Sequence, residues 1–156
     1  RGLGTVGVFV RLGPLMVAGA HFALPGTWSR LAWTASVPVG FLVAAILHSN
    51  DVRDLQDDAA SGILTLARCM GERAARGLYV ALVAGAYVWV AGAVALGAVP
   101  LPALLAWLTA PLALRLAGTV AMAPLSSMAA TDQATARLHF AFGALLALGT
   151  ALGAAA

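Results

Sequence analysis

The order of apolar and charged positions divides the chain into long uncharged stretches. A helix needs roughly 20 mainly apolar residues to cross the hydrocarbon core of a bilayer. Four stretches without charged side chains approach or exceed that length, namely residues 12–29, 31–50, 77–114 and 138–156, with 18, 20, 38 and 19 residues. The third stretch is too long for one helix, and Pro100 and Pro102 interrupt it, because proline cannot continue a helix.

This pattern predicts an all-α fold, a multi-pass bundle of five helices in a lipid bilayer. The expected spans are residues 4–24, 31–50, 76–98, 101–122 and 135–155. Composition agrees with this, since 62% of the residues are hydrophobic and only 10% are charged, whereas soluble domains carry about 25% charged residues. The 17 glycines add small residues of the kind that let helices pack closely in lipid. An ordinary soluble domain is therefore excluded.

The distribution of charge argues against a nucleic-acid partner. The net charge is +3, but five of the six acids and four of the nine arginines lie between residues 51 and 76. The charge therefore forms one mixed cluster instead of a basic face. Because the chain starts with Arg1 and not with Met, we expect it to be a piece of a longer protein.

Arginine placement predicts the orientation of the spans. With five alternating spans, the N-terminus and the connections at 51–75 and 123–134 share one side of the membrane. That side holds most of the arginines outside the spans, namely Arg1, Arg53, Arg68, Arg73 and Arg76, whereas the other side holds Arg30. Connections rich in arginine stay in the cytoplasm, so the acidic connection is predicted to face the cytoplasm.

Four carboxylates fall within eight residues directly after the second expected span: Asp51, Asp54, Asp57 and Asp58. If the helix continues past Asn50, three of them lie within about 60° of one another on one face. Clustered carboxylates favour a counter-cation, and Mg²⁺ is usually held by one or two carboxylates together with substrate phosphates. The spacing therefore indicates a diphosphate held through Mg²⁺. A solvated, charge-balanced connection between two spans is the alternative that spacing alone leaves open.

A longer string around these acids carries more information. Residues 45–67 read AILHSNDVRDLQDDAASGILTLA, and Gly71 follows. This string resembles the second Asp-rich motif of the UbiA superfamily of membrane-embedded aromatic prenyltransferases, most closely the branch that makes menaquinone, over about 27 positions. The stretches FVRLGPL at 9–15 and, more weakly, TARLH at 135–139 are similar to other spans of that branch.

The resemblance implies that this chain is the C-terminal part of a nine-span fold, spans five to nine, without the family's first Asp-rich motif. It assigns Asp54 and Asp58 as catalytic residues that hold Mg²⁺ and the diphosphate. Its further diphosphate or substrate contacts are Asn50, Asp51, Arg53 and His48. Asp51 departs from the branch pattern, which usually has asparagine there. Arg68, Arg73 and Arg76 are expected as additional partners for phosphate oxygens.

The implied reaction moves a polyprenyl group from its diphosphate to 1,4-dihydroxy-2-naphthoate, or a related quinol precursor, in menaquinone (vitamin K2) synthesis. Two alternatives stay open. The first is another acceptor, such as 4-hydroxybenzoate, homogentisate or haem, which the ILHSN string disfavours. The second is a transporter bundle whose acids bind a cation. A transporter is expected to carry ionisable residues near the middle of its spans, whereas these acids cluster at one end.

Overall fold

The computed structural model describes residues 3–154, and this part of the chain is a bundle of helices without strands. Five helical segments are long and apolar enough to cross a membrane, namely Gly4–Ala23, Arg30–Arg53, Glu72–Ala95, Leu101–Met122 and Thr131–Ala154. The prediction of an all-α bundle with five spans is therefore confirmed. Arg1 and Ala155, which entered the sequence predictions, lie outside the described residues.

Residues 3–154 contain eight α-helices and three segments of π or 3-10 helix, which form the spans and the connections between them. The α-helices are α1 (Gly4–Val10), α2 (Met16–Ala23), α3 (Arg30–Arg53), α4 (Leu55–Ala60), α5 (Leu66–Met70), α6 (Glu72–Ala95), α7 (Ala110–Met122) and α8 (Thr131–Ala154). A π-helical turn at Arg11–Leu15 joins α1 to α2, a 3-10 helix at Leu101–Thr109 leads into α7, and a short 3-10 turn lies at Leu125–Ser127. The π-helical turn contains Pro14, whose missing N–H disturbs the regular helix.

Three helices extend further into their polar borders than the hydropathy pattern predicts. Helix α3 ends at Arg53, α6 begins at Glu72 and α8 begins at Thr131. Hydropathy marks only the apolar part of a helix, whereas backbone hydrogen bonds continue until a cap or turn ends them. The predicted break at the proline pair is confirmed, because α6 ends at Ala95 and Pro100 is extended.

Helix α3 lies at the centre of the bundle and contacts the first span, α6 and α8. Close approach depends on glycine: a Cβ at Gly13 would collide with the backbone of Gly40, and a Cβ at Gly149 would collide with Pro102. Two hydrogen bonds between buried hydroxyls join α6 to its neighbours. Their oxygens are 2.8 Å apart for Tyr79 and Thr135 and 2.7 Å apart for Tyr87 and Thr109.

Candidate active site

The acidic motif lies where α3 ends, and the helix breaks inside it. Regular helix stops at Arg53, Asp54 has φ −91° and ψ 11°, and α4 starts at Leu55. The backbone N–H of Asp58 still donates to the carbonyl of Asp54 at 2.8 Å, so the two acids keep the spacing of one helical turn. The predicted continuation of the helix past Asn50 therefore holds as far as Arg53, and one helical hydrogen bond links Asp54 to Asp58 beyond the break.

Arg53 and Asp54 form a bidentate ion pair at this break. Nε of Arg53 donates to Oδ1 of Asp54 at 2.7 Å, and Nη2 donates to Oδ2 at 2.9 Å. These hydrogen bonds lower the pKa of the Asp54 carboxyl below its ordinary value, against a smaller opposing effect of burial. Asp54 is therefore ionised at neutral pH. Its side chain is 39% exposed, so solvent screens part of the attraction.

The other acids of the motif flank this pair along the chain. Asp51 lies in the last turn of α3 and is partly buried, whereas Asp57 and Asp58 lie in the first turn of α4. Oδ1 of Asn50 is buried and has no hydrogen-bond partner. Buried polar atoms are normally paired, so the acceptor capacity of this oxygen is unused among residues 3–154. Asn50, Asp51, Arg53, Asp54 and Asp58 thus lie at the end of α3 and in the turn that follows it, and their predicted roles stay predictions.

His48 lies away from this polar region, in the interface between α3 and α6. Its side chain is fully buried, and Nε2 lies 2.9 Å from the carbonyl oxygen of Ala75. A carbonyl oxygen only accepts, so Nε2 carries the proton and Nδ1 is the acceptor. Nδ1 is buried without a partner. The contact that the structure gives His48 is a structural one between two spans, and its predicted contact with substrate stays a prediction.

Two of the arginines expected to reach phosphate oxygens are engaged elsewhere. Nη1 of Arg68 donates to the carbonyls of Asp58, at 3.1 Å, and of Ile63, which fixes the turn after α4. Arg76 donates to Glu72 at 2.9 Å and, at 2.5 Å, to the carbonyl of Val120 in the last turn of α7. Arg68 therefore stabilises the turn after α4, and Arg76 joins the start of α6 to the end of α7.

Asp132 is the residue that the sequence analysis missed. It lies in the first turn of α8, and its Oδ2 is 3.5 Å from Nη1 of Arg53. Its other carboxylate oxygen, Oδ1, is buried without a hydrogen-bond partner. The one signal in the sequence is that Asp132 is the only acid outside the 51–76 cluster.

A polar cavity of about 320 Å³ opens beside the ion pair. Its walls are the motif on one side and the α7–α8 connection on the other, with Arg53, Asp54, Gln56, Asp57, Leu125, Ser126 and Ala129 as lining residues. The motif therefore faces an open space that is accessible to small polar groups.

The donor set fits one half of a Mg²⁺–diphosphate site. Carboxylates of Asp54 and Asp58 and the unpaired amide oxygen of Asn50 are oxygen donors, which Mg²⁺ prefers. Among residues 3–154, no group of three or more acidic, histidine or cysteine side chains converges as a metal cage. Two carboxylates completed by phosphate oxygens and water are nonetheless a usual arrangement for this ion.

Comparisons with known proteins agree with the resemblance found in the sequence. Residues 1–142 match the sequence model of the UbiA prenyltransferase family. The chain is 36% identical over 115 residues to the 1,4-dihydroxy-2-naphthoate octaprenyltransferase of Bacillus subtilis (strain 168), covering 73% of this chain and 37% of that protein.

Two relatives share the name UbiA prenyltransferase domain-containing protein 1. The chain is 32% identical over 88 residues to the Dictyostelium discoideum protein (56% of this chain, 27% of the relative) and 42% identical over 69 residues to the Danio rerio protein (44% and 20%). The chain thus spans well under half the length of these curated relatives. No solved structure matches the chain.

Proposed function

Because the chain belongs to the UbiA prenyltransferase family, we propose that it forms one part of an integral membrane enzyme that prenylates an aromatic ring. The proposed reaction transfers a polyprenyl group from its diphosphate to 1,4-dihydroxy-2-naphthoate or a related naphthoquinol, in menaquinone synthesis. The observation that supports this proposal most is the ion pair of Arg53 and Asp54 beside a polar cavity, with Asp58 one helical turn after Asp54 and the buried amide oxygen of Asn50 unpaired.

The choice of acceptor rests on sequence similarity. The Bacillus subtilis relative that covers 73% of this chain is named for 1,4-dihydroxy-2-naphthoate. The relatives from Dictyostelium discoideum and Danio rerio carry names that specify no acceptor. For this reason 4-hydroxybenzoate, homogentisate and haem are the acceptors to compare with the naphthoate. Membership of a prenyltransferase family argues against the transporter considered from the sequence.

The motif's side chains have distinct proposed roles. Asp54 and Asp58, with the amide oxygen of Asn50 and with Asp51 nearby, hold Mg²⁺ together with the diphosphate. When bound, Mg²⁺ supplies positive charge that stabilises the departing diphosphate. Arg53 donates to remaining phosphate oxygens, for which a guanidinium is well shaped. His48 anchors α3 against α6 through Ala75.

In the proposed reaction the allylic C–O bond breaks, and its electron pair leaves with the diphosphate. An electron pair of the acceptor ring forms the new C–C bond. The attacked carbon then releases its substituent, a proton or, where it carries the carboxylate, carbon dioxide. Positive charge on the prenyl group must be kept from water until the ring attacks, and the apolar spans that surround the polar end serve this purpose.

A transfer assay with the full-length protein tests this function. Detergent-solubilised enzyme is incubated with an isoprenoid diphosphate, MgCl₂ and each acceptor, and products are identified by mass spectrometry. We expect a prenylated product from 1,4-dihydroxy-2-naphthoate and a loss of at least about 100-fold in Asp58→Asn, because a charged ligand to the metal is removed. Glu72→Gln, which removes an acid that pairs with Arg76, is the control and is expected to retain activity.

Two outcomes of that assay count against the proposal. Transfer only to a different acceptor contradicts the assignment to menaquinone synthesis. Full activity in both Asp54→Asn and Asp58→Asn contradicts the site. Residues 1–156 alone are expected to give no turnover, since the family's other Asp-rich motif is not in this sequence.

We also propose that the motif faces the cytoplasm. Cys69 is exposed in α5, between the motif and α6, so its thiol reports on this side of the membrane. In a full-length protein without other cysteines, Cys69 is expected to react with a membrane-impermeant maleimide only after the cytoplasmic face is opened. Labelling of intact cells from outside contradicts this orientation.

A further inference from the structure

Asp132 is tied to the motif through Arg53, although it lies in the last span. Its Oδ2 is 3.5 Å from Nη1 of Arg53, while Nε and Nη2 of the same guanidinium bind Asp54. Both members of the Arg53–Asp132 pair are partly shielded, with 29% and 27% of their side chains exposed. Arg53 is therefore shared between two carboxylates from different helices.

The two contacts of Arg53 differ in kind. Asp54 is its chain neighbour, and adjacent residues on a regular helix point about 100° apart, so this pair depends on the helix break at Asp54. Asp132 belongs to α8, which packs against α3 along the bundle. Among the side-chain contacts of residues 3–154, the one with Asp132 joins the guanidinium to a second span.

The negative charge of Asp132 explains why its contact with Arg53 matters. In the proposed function a metal ion competes with Arg53 for the Asp54 carboxylate, so the ion pair between Arg53 and Asp54 weakens when substrate binds. Asp132 keeps a negative charge beside Arg53 at that stage, and the α7–α8 connection that precedes it lines the same polar cavity as Arg53 and Asp54. The guanidinium then stays at the cavity and is free to donate to phosphate oxygens.

We propose that Asp132 is a positioning residue, which holds Arg53 at the motif so that its guanidinium binds the diphosphate while Asp54 binds the metal. This inference rests on the proposed function. It assigns a role to a residue that lies 3.5 Å from Arg53 and outside the acidic motif.

The test measures binding of inorganic pyrophosphate, in the presence of MgCl₂, to the full-length protein. Four proteins are compared by calorimetry: wild type, Asp132→Asn, Arg53→Gln and the double variant. We expect Asp132→Asn to weaken pyrophosphate binding about threefold to fivefold, the scale of one partly exposed ion pair. In the Arg53→Gln background the same change is expected to have no further effect, because Asp132 acts through Arg53.

Conservative and control variants separate positioning from a structural role. Asp132→Glu keeps the charge and is expected to restore affinity to within about twofold of wild type. Glu72→Gln removes an acid that pairs with Arg76, and it is expected to leave affinity unchanged. The melting temperature of Asp132→Asn is expected to match that of wild type, and a variant that unfolds or fails to insert overturns the proposal.

Four outcomes decide between the role of Asp132 and the proposed function. Unchanged affinity in Asp132→Asn overturns the proposal, and so does an equal loss with and without Arg53. A wild-type protein that binds pyrophosphate but transfers no prenyl group contradicts the proposed function while leaving the role of Asp132 measurable. A wild-type protein that binds no pyrophosphate overturns both.

Discussion

The motif at the end of α3 is open and incompletely paired, whereas the contact between α8 and the 3-10 helix at Leu101–Thr109 is closely packed. In that helix contact, Gly149 meets the backbone of Pro102 so closely that no Cβ fits. The adjoining hydroxyl pair of Tyr87 and Thr109 is hydrogen-bonded. At the motif, by contrast, an open polar cavity adjoins the ion pair, and Oδ1 of Asn50 is buried without a partner.

We interpret this difference as one between residues that hold the bundle together and residues of the proposed site. A buried polar atom without a partner costs free energy that a paired one does not. At the packed contact, the hydroxyls of Tyr87 and Thr109 satisfy each other. In the proposed function, the oxygens of the motif bind groups that arrive with the substrate, so substitution of the motif is expected to change binding more than stability.

The largest expected effect on stability comes from the packed contact. Gly149→Val places side-chain atoms where the Pro102 backbone already lies, and we expect it to lower the free energy of unfolding by about 3 kcal/mol. Unfolding in detergent micelles, followed by circular dichroism, measures this. Gly143 has open space around it, so Gly143→Ala is the matched control and is expected to be neutral or slightly stabilising. Equal stability of wild type and Gly149→Val contradicts the close packing.

A smaller effect is expected from the buried polar groups, with opposite signs in the two regions. Tyr87→Phe removes the hydrogen bond to Thr109 and is expected to cost about 0.6 kcal/mol, the average measured for such bonds between membrane helices. Asn50→Leu removes an amide whose oxygen is unpaired and is expected to be neutral or stabilising, because the oxygen loses no bond. The same unfolding assay compares them. A stability loss in Asn50→Leu as large as that in Tyr87→Phe removes the distinction between the two regions.

The smallest expected effect is a pH dependence of the melting temperature, which comes from the carboxylate of Asp54. Its pKa is lowered in the folded protein by the hydrogen bonds from Arg53. The ionised carboxylate therefore favours the folded state above its unfolded pKa of about 3.9, and that contribution is lost as the pH falls through the lower folded value. The difference in melting temperature between wild type and Asp54→Asn is expected to be constant from about pH 5 to 7 and to shrink below about pH 4. A difference that disappears between pH 5 and 7 contradicts the pairing with Arg53.

The spans were predictable because length and hydropathy act locally along the chain. The proline pair at Pro100 and Pro102 marks a helix end by its own backbone chemistry, so that break was predictable too. The helix ends at Arg53 and Thr131 were not, since hydropathy falls off before the backbone hydrogen bonds stop.

The site was predictable only in part. The acids of the motif are adjacent in sequence, and the family resemblance named them. The pairing of Arg53 with Asp54 depends on a helix break that no periodicity signals. The approach of Asp132 depends on how α8 packs against α3, and the burial of His48 depends on α6. Tertiary contacts of this kind leave no local trace in the sequence.

The central claim is that Asp54 and Asp58 hold an isoprenoid diphosphate through Mg²⁺. Calorimetric titration of the full-length protein with a non-reactive isoprenoid thiolodiphosphate, with MgCl₂ and again with EDTA, tests it most directly. We expect binding that requires Mg²⁺ and that weakens at least about tenfold in Asp54→Asn and in Asp58→Asn. Binding that is equally tight in EDTA, or unchanged in both variants, contradicts the claim.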